Sequence, residues 1–91
     1  MFAKGRKKGT LRFALRPAVP VRKVLLAGDF NGWQPVVMRR RAGGEFVAIV
    51  EAVPGVHEYK FILDGRWETD PDNHRRAANP YGSSNSVAIM D

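Results

Sequence analysis

Asp64-Gly65 stands between two runs of alternating side chains, and that dipeptide decides which of them meet. A two-residue loop of this composition forms a type I′ hairpin turn. It pairs Leu63 with Arg66, Ile62 with Trp67 and Lys60 with Thr69. Side chains on a strand alternate between faces. Tyr59, Phe61 and Leu63 therefore share one face, and Lys60, Ile62 and Trp67 share the other. Trp67 and Lys60 become diagonal cross-strand neighbours, about 7–8 Å apart. The aromatic and leucine face has the bulk of a core, which leaves an indole beside an ammonium on the outside. Such a pair suits a ligand with a flat apolar side and a hydroxylated rim. The alternative is that Trp67 covers the sheet and Lys60 snorkels over it.

Trp33 follows the turn Asp29-Phe30-Asn31-Gly32 and lies in a loop, where core packing rarely needs an indole and function often resides. It either presents its ring to a ligand or folds down as a lid. Asn79-Pro80-Tyr81-Gly82-Ser83-Ser84-Asn85 supplies one more aromatic and several short hydrogen-bonding groups, or is an ordinary connection.

Short strands must position these residues. Thr10 to Arg16 alternates cleanly, with Leu11, Phe13 and Leu15 on one side. Arg22 to Gly28, Val36 to Arg40, Glu45 to Ala52, Val56 to Leu63, Arg66 to Thr69 and Ser86 to Met90 read as further strands. Asn31-Gly32, Gly43-Gly44, Pro54-Gly55 and Asp64-Gly65 cut the chain into them. Asp70 to Ser84 reads as a long polar loop. No helical period is sustained anywhere. Six to eight strands over about 80 residues predict an all-β, antiparallel β-sandwich.

The composition sets limits. Ninety-one residues make one domain, too small for a catalytic barrel. Absent cysteine removes disulfides, thiolate metal sites and thiol nucleophiles. No apolar run reaches the roughly 18 residues of a membrane span. Met1 to Lys8 lacks the apolar stretch of a signal peptide, so the expected setting is cytoplasmic, without a membrane partner. Lys+Arg number 15 against 9 Asp+Glu, a net of +6. Lys4, Arg6, Lys7 and Lys8 hold four of those positive charges, so the rest of the chain is nearly balanced. Residues 1–9 are expected to be a basic, disordered tail and residues 10–91 the folded domain.

Three spaced segments resemble one family. Val24-Leu25-Leu26-Ala27-Gly28-Asp29-Phe30-Asn31-Gly32-Trp33 is similar to its first motif. Gly55-Val56-His57-Glu58-Tyr59-Lys60-Phe61 with Asp64-Gly65-Arg66-Trp67 is similar to its second, and Asp70-Pro71 with Asn85-Ser86-Val87 to its close. The family is the family-48 carbohydrate-binding modules. It includes the glycogen-binding domain of the β subunit of AMP-activated protein kinase and the N-terminal domains of isoamylases and branching enzymes. The resemblance covers residues 10–91 and implies an immunoglobulin-like sandwich that binds α-1,4-glucan, such as glycogen, starch or a maltooligosaccharide. It implies that Trp33 and Trp67 are stacking platforms and Lys60 a hydroxyl donor. Tyr81 takes the place of an apolar residue that reaches around the sugar chain. Ser83 stands at a small hydroxyl position, and Asn85 matches an Asn.

Catalysis is not expected. Asp64, Asp70 and Asp72 lie in turns, where their residue type is already explained. His57, His74 and Asp72 have no recognised metal spacing, and no cofactor is expected. Two other classes compete with glucan binding. One is docking of a glucan-active enzyme or kinase. The other is single-stranded nucleic acid, through the tail, Arg39-Arg40-Arg41, Arg75-Arg76 and the two indoles, and it is the less favoured. Salt separates them: a neutral glucan is insensitive to it, and a polyanion is not.

Overall fold

Leu11, Phe13 and Leu15 are buried while Arg12 and Ala14 between them are partly open, as a half-buried strand requires. The computed structural model describes residues 1–91 and contains ten strands. They are β1 (Phe2–Lys4), β2 (Thr10–Leu15), β3 (Val24–Gly28), β4 (Val36–Val37), β5 (Arg39–Arg40), β6 (Phe46–Glu51), β7 (Gly55–Leu63), β8 (Arg66–Glu68), β9 (Arg76–Ala78) and β10 (Ser84–Met90). One 3₁₀ turn, Asp29–Asn31, follows β3. The pairing is antiparallel throughout.

One sheet runs β1-β2-β6-β5, and the other β4-β3-β7-β10-β9 with β8 also on β7. Together they form an immunoglobulin-like sandwich. The core between them gathers Leu11, Phe13, Leu15 and Phe46 from the first sheet and Val24, Leu26, Tyr59, Phe61 and Leu63 from the second. Phe13 packs edge-on against Tyr59, with centroids 4.6 Å apart, so the two sheets are joined by aromatic contact.

The structure corrects the sequence reading in four places. Phe2–Lys4 is not part of a disordered tail: it pairs with β2 in the register Phe2 to Phe13 and Lys4 to Leu11. Phe2, lying against the core, supplies the apolar contact that a purely charged tail lacks. Val36 to Arg40 is not one strand. Met38 is buried there and its N–H donates to the Val24 carbonyl at 2.9 Å, where the chain passes between sheets. β4 therefore belongs to β3 and β5 to β6. The Asp70 to Ser84 loop holds β9, which pairs with the start of β10. The strand after Trp67 ends at Glu68, so the Lys60 to Thr69 pair is not formed.

β7 organises the site. β3 pairs with Tyr59–Leu63 along one edge of it. Its other edge is shared: β10 covers Gly55–Tyr59 and β8 covers Phe61–Leu63. Lys60 lies where those two partners part.

Candidate functional site

The hairpin forms as its turn chemistry requires. Asp64 and Gly65 both have positive φ, 47° and 88°, which is the type I′ geometry. Trp67 stands opposite Ile62 and Leu63 opposite Arg66. Asp64 does more than turn the chain. Its carboxylate accepts the Arg22 N–H at 3.0 Å and the Lys23 N–H at 2.9 Å, pinning the approach to β3. Those backbone donors, Lys23 first and Arg22 second, hold its pKa below the usual carboxylate value. Arg22 and Lys23 are thereby bound before β3 begins at Val24, two residues later than the sequence suggests.

The turn carrying Trp33 is built residue by residue. Asn31 accepts the Gly28 N–H through Oδ1 at 3.2 Å. Phe30 tucks against Phe13 of the opposite sheet, with centroids 5.3 Å apart. Asp29 reaches β7: Oδ2 accepts the Glu58 N–H at 2.8 Å, and Oδ1 lies 2.7 Å from His57 Nδ1. The other ring nitrogen of His57 lies 2.6 Å from the Val53 carbonyl. With an oxygen acceptor at each nitrogen, the imidazolium is favoured. The Val53 carbonyl is the largest cause of its raised pKa; burial opposes it and Asp29 adds to it.

Gly32 and Trp33 then turn left-handed, at φ of 65° and 62°. Gly32 does this freely, whereas for a bulky residue such as Trp33 it is strained. The Trp33 N–H holds the conformation by donating to the Gly28 carbonyl at 2.8 Å. The indole is thus aimed by the backbone and stays 36% exposed.

Asn79 shapes the last wall. Its Oδ1 accepts the N–H groups of Tyr81 at 3.0 Å and Ser83 at 3.1 Å, an Asx-type turn. Its Nδ2 donates to Ser83 Oγ and to Asn85 Oδ1, both at 3.2 Å. Lys60 Nζ donates to the same Ser83 Oγ at 2.8 Å. Asn85 Nδ2 donates to Glu58 Oε1 at 3.0 Å, which closes a polar network across the floor. Tyr81, held only by its backbone, projects with 90% of its surface exposed.

All six residues singled out from the sequence (Trp33, Lys60, Trp67, Tyr81, Ser83 and Asn85) line one groove of about 760 Å³. Two indoles and a phenol wall it, and an ammonium, a hydroxyl and an amide lie between them. Asp29, Glu58, Ala78, Asn79 and Pro80 also line it. Alternation along β7 places Glu58 on the face of Lys60, so its presence was readable. Asn79 could have been flagged only as an Asn-Pro turn residue. Asp29 comes near through its contacts with β7, which no local pattern shows.

A buried network backs the groove. Asp70 is fully buried and accepts the Tyr59 hydroxyl at 2.7 Å and the Asp72 N–H at 2.9 Å. The second contact is the turn role expected of it; the first is not legible in sequence. Asn73 Nδ2 donates to Tyr59 Oη at 2.9 Å. Burial pushes the Tyr59 pKa far up, which keeps the phenol protonated and donating.

The chain is thus a small β-sandwich with an aromatic-walled groove on one sheet face. Residues 18–90 match the family described as the glycogen recognition site of AMP-activated protein kinase, and the chain belongs to that family. Over 50 residues it is 42% identical to the β-1 subunit of 5′-AMP-activated protein kinase from Sus scrofa, covering 55% of this chain and 40% of that one. It is 38% identical to the β-2 subunit from Homo sapiens, again over 50 residues and 55% of this chain, but 18% of that one. A maltogenic amylase from S. marinus superposes on 100% of this chain with a TM-score of 0.75, at 22% identity and 15% of its own length. That likeness concerns the fold. The chain spans well under half the length of each of these proteins.

Proposed function

We propose that the chain binds α-1,4-linked glucan in this groove without transforming it, and so brings a glucan-active enzyme or kinase to the polymer. Trp33 and Trp67 stack on the apolar faces of sugar rings, Lys60 and Ser83 serve the hydroxyl edges, and the buried Asn85, bonded to Asn79 and Glu58, fixes the wall behind them. Tyr81, projecting from its turn, closes over the chain. The observation that carries this is the convergence of both indoles and Lys60 on one groove from three separate segments. The non-catalytic reading draws support from the two carboxylates of the groove. Asp29 is committed to His57 and the Glu58 N–H, and Glu58 to Asn85.

Magnitudes fix the expected affinity. Each indole covering about 100 Å² at about 25 cal/mol/Å² gives roughly 5 kcal/mol for the pair. Association costs on the order of 4 kcal/mol or more. Hydrogen bonds worth about 1 kcal/mol each supply the surplus. The Kd for one oligosaccharide then falls between about micromolar and millimolar. Cosedimentation with glycogen tests the function. The chain pellets with the polymer, and maltoheptaose in excess releases it; a chain that stays in the supernatant at every glycogen concentration contradicts the proposal.

A further inference from the structure

A second groove, also of about 760 Å³, lies beside the first and shares Lys60, Trp67 and Ser83 with it. Its chemistry differs. Its other walls are Glu68, Thr69, Pro71, Arg76, Gly82 and Ser84, so Trp67 is its only large apolar side chain. Two cations, Lys60 and Arg76, face three hydroxyl-bearing residues there. The single carboxylate, Glu68, is half-exposed and lies 3.6 Å from the Arg66 guanidinium, which offsets part of its charge.

Arg76 is placed rather than free. Its Nε donates to the Asn73 carbonyl at 3.4 Å and its Nη2 to the Asp70 carbonyl at 3.2 Å. A guanidinium carries five N–H donors. Two are used in fixing the plane, and the remaining three stay available in a fixed fork. That is the arrangement which matches phosphate oxygens at low entropic cost. Thr69 and Ser84 line the same groove with hydroxyl groups, while the Ser83 hydroxyl is engaged with Lys60, Asn79 and the Ser84 carbonyl. A neutral sugar uses Lys60 as a hydroxyl donor and leaves the Arg76 charge without a counterpart.

We propose that the second groove takes an anionic substituent, a phosphate monoester, carried by the glucan whose ring lies on Trp67. The inference rests on the glucan reading of the first groove and adds a substrate class to it. A phosphate monoester carries nearly two negative charges at neutral pH, since its second pKa is about 6. Lys60 stands between the two grooves and serves both. Arg76 belongs to the second alone.

The test compares neutral maltodextrin with a phosphorylated maltodextrin of equal length by calorimetry at low salt. The phosphorylated chain binds about tenfold more tightly, equivalent to about 1.4 kcal/mol. The gain shrinks as salt rises, because the charges are screened within about 10 Å at 0.1 M. Arg76→Gln abolishes the gain and leaves the neutral affinity unchanged. Arg76→Lys, which retains the charge but not the fork, keeps part of it and guards against a variant that fails to fold. Equal affinity for the two dextrins, or a gain that survives Arg76→Gln in a folded protein, overturns the inference and leaves neutral binding intact. Loss of the gain on adding equimolar inorganic phosphate overturns it too, by revealing a free-anion site. Failure of both dextrins to bind overturns this inference and the glucan reading together.

Discussion

Asp29 and His57 lie 2.7 Å apart, one in the turn that aims Trp33 and the other on the central strand that carries Lys60. Through this pair and the Asp29 contact to the Glu58 N–H, two segments distant in sequence become one wall of the groove. The His57 part of this link is strongest with a protonated ring, whereas the Asp29 bond to the Glu58 N–H is present in either state.

The folded pKa of His57 is raised, so its contribution to stability is complete below the unfolded value of about 6.5 and is lost as pH rises through the folded value. Melting temperature should fall from pH 6 to pH 8 in the native chain, and should vary less in His57→Gln. At pH 6 that substitution should destabilise by about 1.5–3 kcal/mol, the size of a charge-assisted hydrogen bond. Parallel pH profiles for the two proteins would remove His57 from the account.

Trp33 is held at a φ that costs a non-glycine residue about 1–2 kcal/mol. Trp33→Gly removes both the indole and that strain, whereas Trp33→Ala removes only the indole. The glycine variant should therefore unfold at higher denaturant than the alanine variant, by about 1 kcal/mol, while both lose glucan affinity. Equal midpoints would show that the turn relaxes when the ring is gone.

Gly28 has no room for a side chain. A Cβ there would lie 2.4 Å from a ring carbon of Phe30 and 2.9 Å from the Glu58 carbonyl. Phe30 packs against Phe13 and His57, so shifting its ring disturbs those contacts, and the Glu58 carbonyl is backbone. Gly28→Ala should cost about 1–3 kcal/mol in urea unfolding, and should weaken glucan binding by displacing the turn.

Asp64 has a lowered folded pKa, so its contribution is present above the unfolded value of about 3.9 and is lost as pH falls through the folded one. Asp64→Asn keeps a residue that tolerates the left-handed turn but removes the charge; Asp64→Ala removes both. Melting temperature at pH 7 should fall in the order native, Asn, Ala. The native advantage over Asn should vanish in acid, which melting curves at pH 7 and pH 3 will show.

The second strand, the core face of β7 and the hairpin register were legible because period two and the Asp-Gly turn are local signals. Trp67 opposite Ile62 follows from that turn alone. β1 was hidden because Lys4 and its basic neighbours outweigh one phenylalanine, whose partner Phe13 is distant in the chain. The break at Met38 was hidden because two-residue strands have no period. Within the site, the six residues came from hairpin geometry, loop position and family resemblance. Asn79 stood out only as one member of a turn-rich segment, because its contacts to Tyr81, Ser83 and Asn85 are local turn chemistry, and Asp29 did not stand out because it acts through contacts to β7. Asp70 read as a turn residue, and its carboxylate proved also to anchor Tyr59 beneath the groove.

The net charge of +6 has no role in holding a neutral glucan, so binding of unmodified maltodextrin should be flat between low and high salt. The proposed grip on an α-glucan comes from the two indoles. Calorimetric titration with β-cyclodextrin tests it most directly, on the native chain, Trp33→Ala and Trp67→Ala. The native chain should bind between about micromolar and millimolar. Each variant should lose about 2 kcal/mol or more, roughly thirtyfold in Kd, while staying folded by circular dichroism. Unchanged affinity in both folded variants would contradict the account.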